Sequence, residues 1–192
     1  NDYYDVKIDY INKPERVVIG RSITRRYAIL FHVVFSAIGI LIGVYLSWSI
    51  AAVNILSVFL LWLYSNNLKR QPFVGNLAVA LLTGASIFVV DMLYRTHNPL
   101  IVIYALFAIF MTLVREIIKD IEDLKGDNTF GCKTLPIIWG IRKTKVIIYT
   151  ILGIFSIAVI VLNTRFEILP LQYYVLLLFA PLVWFVVRLY RA

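Results

Sequence analysis

The sequence predicts an all-α fold, a polytopic transmembrane helical bundle, and three observations carry the prediction. Of its 192 residues, 61% are hydrophobic, and the mean hydropathy of +0.84 lies well above a soluble domain, whose apolar share is about half. The apolar residues also fall into runs close to the ~20 residues a helix needs to cross a bilayer. Finally, the net charge of +8 sits in the connections between those runs, which is the mark of membrane topology and argues against a nucleic-acid partner. Cys132 is the only cysteine, so an intrachain disulfide is excluded and it reads as a small loop residue.

Taken in order, residues 1–21 are polar and charged, with Pro14 and Gly20 as breakers, and read as a helix end followed by a loop. Six apolar runs follow: Tyr27 to Trp48, Ala51 to Tyr64, Val74 to Val90, Leu100 to Val114, Val146 to Leu162 and Leu171 to Val187. The second reaches spanning length only if it extends to about Ser47 and Asn66, and the fourth is lengthened by the acidic helix after it. The whole of 1–192 is read as one transmembrane domain. Six Lys and Arg precede the first span, and none lies between the first and second. Lys69 and Arg70 follow the second, Arg95 alone the third, seven surround the fourth-to-fifth connection, Arg165 alone follows the fifth, and Arg188 and Arg191 follow the sixth. The alternation places 17 on one side and 2 on the other. The positive-inside rule makes the rich side cytoplasmic, in the cell's inner or plasma membrane.

Against this oily, basic background the acids cluster. Asp120, Asp123 and Asp127 stand at i, i+3 and i+7, within about 60° of one another on a helix, so all three can look the same way from one helix end. The start of the chain repeats the pattern: Asp2, Asp5 and Asp9 also fit D-x-x-D-[VL]-K-x-D, 118 residues earlier. Both clusters fall on the positive-rich side, together with Tyr64, Lys69 and Arg70. Carboxylates at a membrane edge are costly unless solvated, paired or metal-bound. Mg²⁺ is usually held by one or two carboxylates plus substrate phosphates, so two acid-rich helices facing one cavity suit a diphosphate, with Lys and Arg completing the clamp. The plain alternative is a solvated helix face, with Lys119, Glu122 and Lys125 pairing with their neighbours. Two clusters of one spacing on one face weigh against it.

These residues carry a resemblance. Asn1-Asp2-x-x-Asp5-x-x-x-Asp9, with Ile11-Asn12-Lys13-Pro14-x-Arg16 after it, resembles the first aspartate-rich motif of the UbiA-type intramembrane prenyltransferases. Arg115-Glu116-x-x-x-Asp120-x-x-Asp123-x-x-x-Asp127, followed by Gly131, Lys133 to Pro136 and Gly140, resembles the second. Tyr64 with Lys69-Arg70 and Asn76 resembles the Tyr/Lys element between them. The resemblance implies a nine-helix fold around a central cavity, of which this chain holds helices three to eight, beginning at the end of helix two. It implies transfer of a prenyl group from a diphosphate to a membrane-embedded acceptor through an allylic carbocation, with two Mg²⁺ ions. Asn1, Asp2, Asp5 and Asp9 would serve one ion and Asp120, Asp123 and Asp127 the other. Asn12, Arg16, Lys69 and Arg70 would contact the diphosphate, and Tyr64 would sit by the reacting carbon, so that Asp5, Asp123 and Tyr64 are the expected catalytic residues. The run from Asp9 to Arg16 and the pair Arg115-Glu116 are most similar to members that alkylate geranylgeranylglyceryl phosphate in ether-lipid synthesis. Val17-Val18 depart from the proline common after that arginine.

Other readings stay open: an aromatic or chlorin acceptor, a transporter with acidic cytoplasmic rings, or an inactive, lipid-bound remnant. The CDP-alcohol phosphotransferases are set aside, because their first motif needs Gly and then Ala-Arg soon after the second Asp, where this chain has Val6-Lys7. The sequence assigns no oligomeric state. His32 reads as a packed polar group within a span, and His97 as a solvated turn residue. Asp91 and Arg95 read as a local i,i+4 pair. Trp48, Trp62, Trp139 and Trp184 read as interfacial belts, and Gly39-x-x-x-Gly43 as a close-packing motif.

Overall fold

The computed structural model describes residues 2–96, 98–166 and 179–191. Asn1, His97 and residues 171–178 of the expected sixth span lie outside the described residues. The helices are α1 (Asp2–Asn12), α2 (Arg25–Leu46), α3 (Trp48–Asn66), α4 (Val74–Tyr94), α5 (Pro99–Glu122), α6 (Leu124–Thr129), α7 (Leu135–Phe166) and α8 (Ala180–Arg191). Single 3₁₀ turns at Pro14–Arg16 and Leu68–Arg70 interrupt the loops. Among the described residues, five helices (α2, α3, α4, α5 and α7) are long and apolar enough to cross a membrane. This is an integral membrane protein of the all-α class.

The second span runs to Asn66, as its length demanded, whereas the fifth starts at Leu135, eleven residues ahead of the expected Val146. The early start comes from Leu135 to Ile141, a helical turn joined to the next segment through Gly140 (φ 77°, ψ 160°). That backbone conformation favours glycine. The chain divides into two compact units just beyond it, residues 1–141 and 142–192.

In the first unit, the helices form up-and-down hairpins. The α2–α3 turn rests on Ser47, extended at φ −172° and ψ 143°, whose hydroxyl accepts the Ser49 N–H at 3.3 Å as an N-cap. Asn54 Nδ2 donates to the Gly39 carbonyl at 2.8 Å, and a Cβ on Gly43 would stand 3.0 Å from Ala51 Cα. The G-x-x-x-G segment thus lets α3 approach closely. The outer face of α2 stays apolar and exposed, with Phe35 and Leu41 each 67% accessible, as a lipid-facing surface requires. His32 is exposed on α2 and lines a groove with Ser36, Gly39 and Asn54. It is not the packed group its position suggested.

The α4–α5 hairpin is the most extensive contact of this unit. Gly84 faces the Ile109 side chain with no room for a Cβ, and Ala80 and Ile117 are fully buried. Asn98 caps α5 by accepting the Leu100 N–H at 3.0 Å, with Pro99 in the first turn. At the end of α4 the expected Asp91–Arg95 pair is not found. Arg95 takes a left-handed cap conformation (φ 49°, ψ 41°), and the Thr96 hydroxyl donates to Asp91 Oδ1 at 2.6 Å. Leaving the helix turns the arginine out of i,i+4 register.

In the second unit, Ile148, Leu152 and Phe155 make a buried stripe at helical spacing on α7. Arg188 lies over the Trp184 ring on α8, 5.3 Å from its centroid.

Candidate active site

The hairpins bring the end of α3, the start of α4 and the end of α5 to one end of the first unit, where α1 and α6 pack together. Asn76 Nδ2 on α4 donates to Asp120 Oδ2 on α5 at 2.8 Å. Tyr64, buried at the end of α3, lies within electrostatic reach of Glu116, Asp120, Asp5 and Asp127. The Lys69 ammonium is in direct contact with Asp5 Oδ2, and Lys69 also acts on Asp127. The first acid motif, the Tyr64–Lys69 element and the second acid motif therefore meet, as the spacing and topology led one to expect.

The loop carrying Lys69 is held tightly. Phe73 has φ 65° and ψ −38°, and the Val74 N–H donates to the Pro72 carbonyl at 2.7 Å, a γ-turn of the rare positive-φ kind. A Cβ on Gly75 would stand 2.7 Å from the Leu68 carbonyl oxygen, so only glycine lets the 3₁₀ turn lie on α4. The Arg70 carbonyl accepts the Lys133 N–H at 2.9 Å, tying the turn to the segment after α6. The Arg70 and Arg16 side chains are exposed on their 3₁₀ turns.

The two acid motifs are built differently. α1 is unbroken from Asp2 to Asn12, with Asp5 and Ile8 buried and Asp9 half-buried. The second motif is divided: Asp120 belongs to α5, Asp123 stands at the break with φ −89° and ψ 5°, and Asp127 lies on α6. The expectation that all three look the same way from one helix end is corrected here. Asp120 turns to Asn76, while Asp123 turns to Lys13, whose Nζ lies 2.8 Å from its Oδ1 and 3.7 Å from Glu122 Oε2. The Asp123 partner holds the Lys13 ammonium above its ordinary range, against partial burial.

Asn12 bridges the break. Its Nδ2 donates to the Asp123 carbonyl at 3.1 Å, and its Oδ1 accepts the Gly126 N–H at 2.7 Å. Both ends of the amide expected on a diphosphate are thus engaged with the backbone.

Asp5 and Asp127 are 5% and 3% exposed. Burial pushes the Asp127 carboxyl up to about 6, opposed by Lys69 and reinforced by Asp123 and Asp5. Hard carboxylate oxygens that share a single lysine suit a divalent cation. Among the described residues no three His, Cys, Asp or Glu side chains form a ready cage. Mg²⁺ takes one or two carboxylates and completes its shell with phosphates and water. Asn1 and the Asp2 side chain lie outside the described residues.

Sequence reasoning gave no role to Lys13 or Gly126, or to Glu116, which is buried beside Arg115. A buried acid near Asp120 was findable from the Arg115-Glu116 motif alone; the Lys13 and Gly126 partnerships needed the fold. Cys132 is buried and its N–H donates to the Asp127 carbonyl at 3.0 Å, with burial pushing its thiol up.

Comparison with known proteins agrees with this architecture. Residues 1–192 match the UbiA prenyltransferase family model. The chain is 37% identical over 184 residues to the digeranylgeranylglyceryl phosphate synthase of Methanosphaera stadtmanae, covering 96% of this chain and 67% of that protein. It is 40% identical over 147 residues to the synthase of that name from Pyrococcus horikoshii, covering 77% of this chain and 53% of the relative. A solved structure described as a digeranylgeranylglyceryl phosphate synthase in membranes superposes with a TM-score of 0.70 at 25% identity, over 98% of this chain and 66% of that one. This chain is a member of the UbiA prenyltransferase family.

Proposed function

We propose that the protein transfers a prenyl group from a prenyl diphosphate to the hydroxyl of a membrane-embedded glycerol phosphate lipid, geranylgeranylglyceryl phosphate. The observation that carries this reading is the convergence of Asp5, Asp120 and Asp127 around Lys69 and Tyr64, with Asp123 beside Asp127. The synthase relatives support the choice of acceptor.

In this reading Asp5 and Asp9, with Asn1 and Asp2, would serve one Mg²⁺, and Asp120, Asp123 and Asp127 a second, one or two carboxylates binding each ion directly and the others through water. Bound there, Mg²⁺ would neutralise diphosphate oxygens as charge develops on them. Lys69, Arg70 and Arg16 bind the diphosphate as point charges and forked donors. The bond between the allylic carbon and the bridging oxygen breaks, and its electron pair leaves with the diphosphate. The acceptor oxygen then bonds to the allylic cation and releases its proton. Tyr64, held in a buried position, presents its ring and hydroxyl beside the reacting carbon and helps exclude water. The apolar spans accommodate the isoprenoid tails. The excess of Lys and Arg on the motif side supports a cytoplasmic position for this end.

The test is a membrane assay of the full-length protein with labelled geranylgeranyl diphosphate. Mg²⁺-dependent labelling of geranylgeranylglyceryl phosphate is expected. Labelling of an aromatic or chlorin acceptor instead would keep the reaction class and overturn the acceptor.

A further inference from the structure

Asn12 is the residue at which the two acid motifs meet. It closes α1 on the same face as Asp5 and Ile8, seven and four residues before it. On the other side, an unbroken helix would direct the Gly126 N–H to the carbonyl four residues back. Because Asp123 leaves helical angles, that donor is freed. Asn12 Oδ1 takes it at 2.7 Å while Nδ2 donates to the Asp123 carbonyl at 3.1 Å. One side-chain amide thus stands in for a peptide group inside a helix more than a hundred residues away.

Gly126 is what admits it. A Cβ there would lie 2.5 Å from both Asn12 Nδ2 and Oδ1, and 2.6 Å from Cγ. Lys13, the next residue, adds the ion pair to Asp123 at 2.8 Å. An amide with both bonds made cannot turn to a phosphate without releasing α6. Its chemistry is that of a fastener between the two motifs.

We infer that Asn12, seated on Gly126, is a positioning residue that fixes the separation of the two acid motifs and thereby sets the site's affinity for its divalent cation. The inference rests on the reading that both motifs serve one Mg²⁺–diphosphate site. Partners that orient metal ligands without touching the metal typically cost about 10–100-fold in metal affinity or activity when removed.

The test uses the full-length protein and the variants Asn12→Ala, Gly126→Ala and the double variant. Asn12→Gln, which keeps the amide but displaces it by one methylene, serves if Asn12→Ala fails to reach the membrane. The first measurement is the distance between spin labels at exposed Lys7 and Thr129, in metal-free protein. A narrow distribution in the parent and a broadened one in each variant is expected. The second is the Mg²⁺ concentration for half-maximal turnover. It should rise about tenfold in each single variant, with a smaller change in kcat, and no more than about twofold further in the double variant, because the two residues make one contact.

An unchanged distance distribution would overturn the clamp. So would Asn12→Ala and Gly126→Ala effects that simply multiply, or a broadened distribution with an unaltered Mg²⁺ requirement. If parent turnover shows no Mg²⁺ dependence, the reading of the acids fails instead, and the distance measurement alone decides the clamp.

Discussion

The two acid motifs share one pattern and fold differently. Asp2 to Asp9 and Asp120 to Asp127 agree at all three aspartates and at the lysine, but Ile8 stands where the second has Gly126. Ile8 is 7% exposed and holds an unbroken α1 by apolar burial. Gly126 lies in the helix that resumes after the break at Asp123, where the missing side chain makes a seat for Asn12. One motif supplies the knob and the other the socket. Acid spacing chooses the chemistry, and one apolar-to-glycine exchange chooses how the two copies join.

The same contrast marks the ion pair that each motif makes. Lys69 and Asp5 are 19% and 7% exposed in their side chains, and Lys13 and Asp123 are 29% and 16%. The first is nearer the buried regime, where removing one partner strands a charge; the second is nearer the surface regime.

The largest effect expected from breaking this comparison is on turnover. Asp5→Ala and Asp123→Ala should each lower prenyl transfer by at least about 10²-fold, the scale of losing a preorganised charge stabiliser. Both should still insert in membranes, as fluorescence size-exclusion of tagged protein would show. Next, Lys69→Ala should destabilise the protein by about 3 kcal/mol because Asp5 is left buried alone, whereas Lys13→Ala should cost about 1 kcal/mol or less. Thermal unfolding in detergent separates the two, and equal shifts would erase the distinction between the pairs. Ile8→Ala should cost about 2–4 kcal/mol as a cavity while leaving the Mg²⁺ requirement of the remaining folded enzyme near that of the parent. Gly126→Ala should do the reverse. The smallest effect is expected from Tyr64→Phe, a loss of about tenfold or less in kcat, since the ring stays in place.

Much of the fold was legible. Apolar runs located the five spans found among the described residues because a bilayer fixes helix length, and the end of the second span at Asn66 followed from that length alone. The break at Asp123 was not legible. No proline marks it, and a single glycine in a helical pattern is ordinarily tolerated. The plain alternative paired the charges near it with Lys119 and Lys125 at helical spacing; in the structure Lys13 and Lys69 arrive from other elements, and only the tertiary fold brings them. Gly140 hid in the same way: it joins two helical segments that a pattern reading starts at Val146. For the site, spacing singled out the acids and the family resemblance singled out Tyr64 and Lys69, and the fold brings Asp5, Asp127, Tyr64 and Lys69 together. The Asn12–Gly126 contact has no local signal at all, because each half of it looks ordinary within its own segment.

The most direct test of the central claim, that two differently built motifs make one cation-dependent diphosphate site, is calorimetric binding of a non-hydrolysable geranylgeranyl thiodiphosphate to the full-length protein. Titrations would compare the parent, Asp5→Ala and Asp123→Ala, each with and without Mg²⁺. The account predicts Mg²⁺-dependent binding in the parent and a loss of at least about tenfold in affinity in both variants. Parent-like, Mg²⁺-dependent binding in either variant would contradict it, because one motif would then hold the diphosphate without the other.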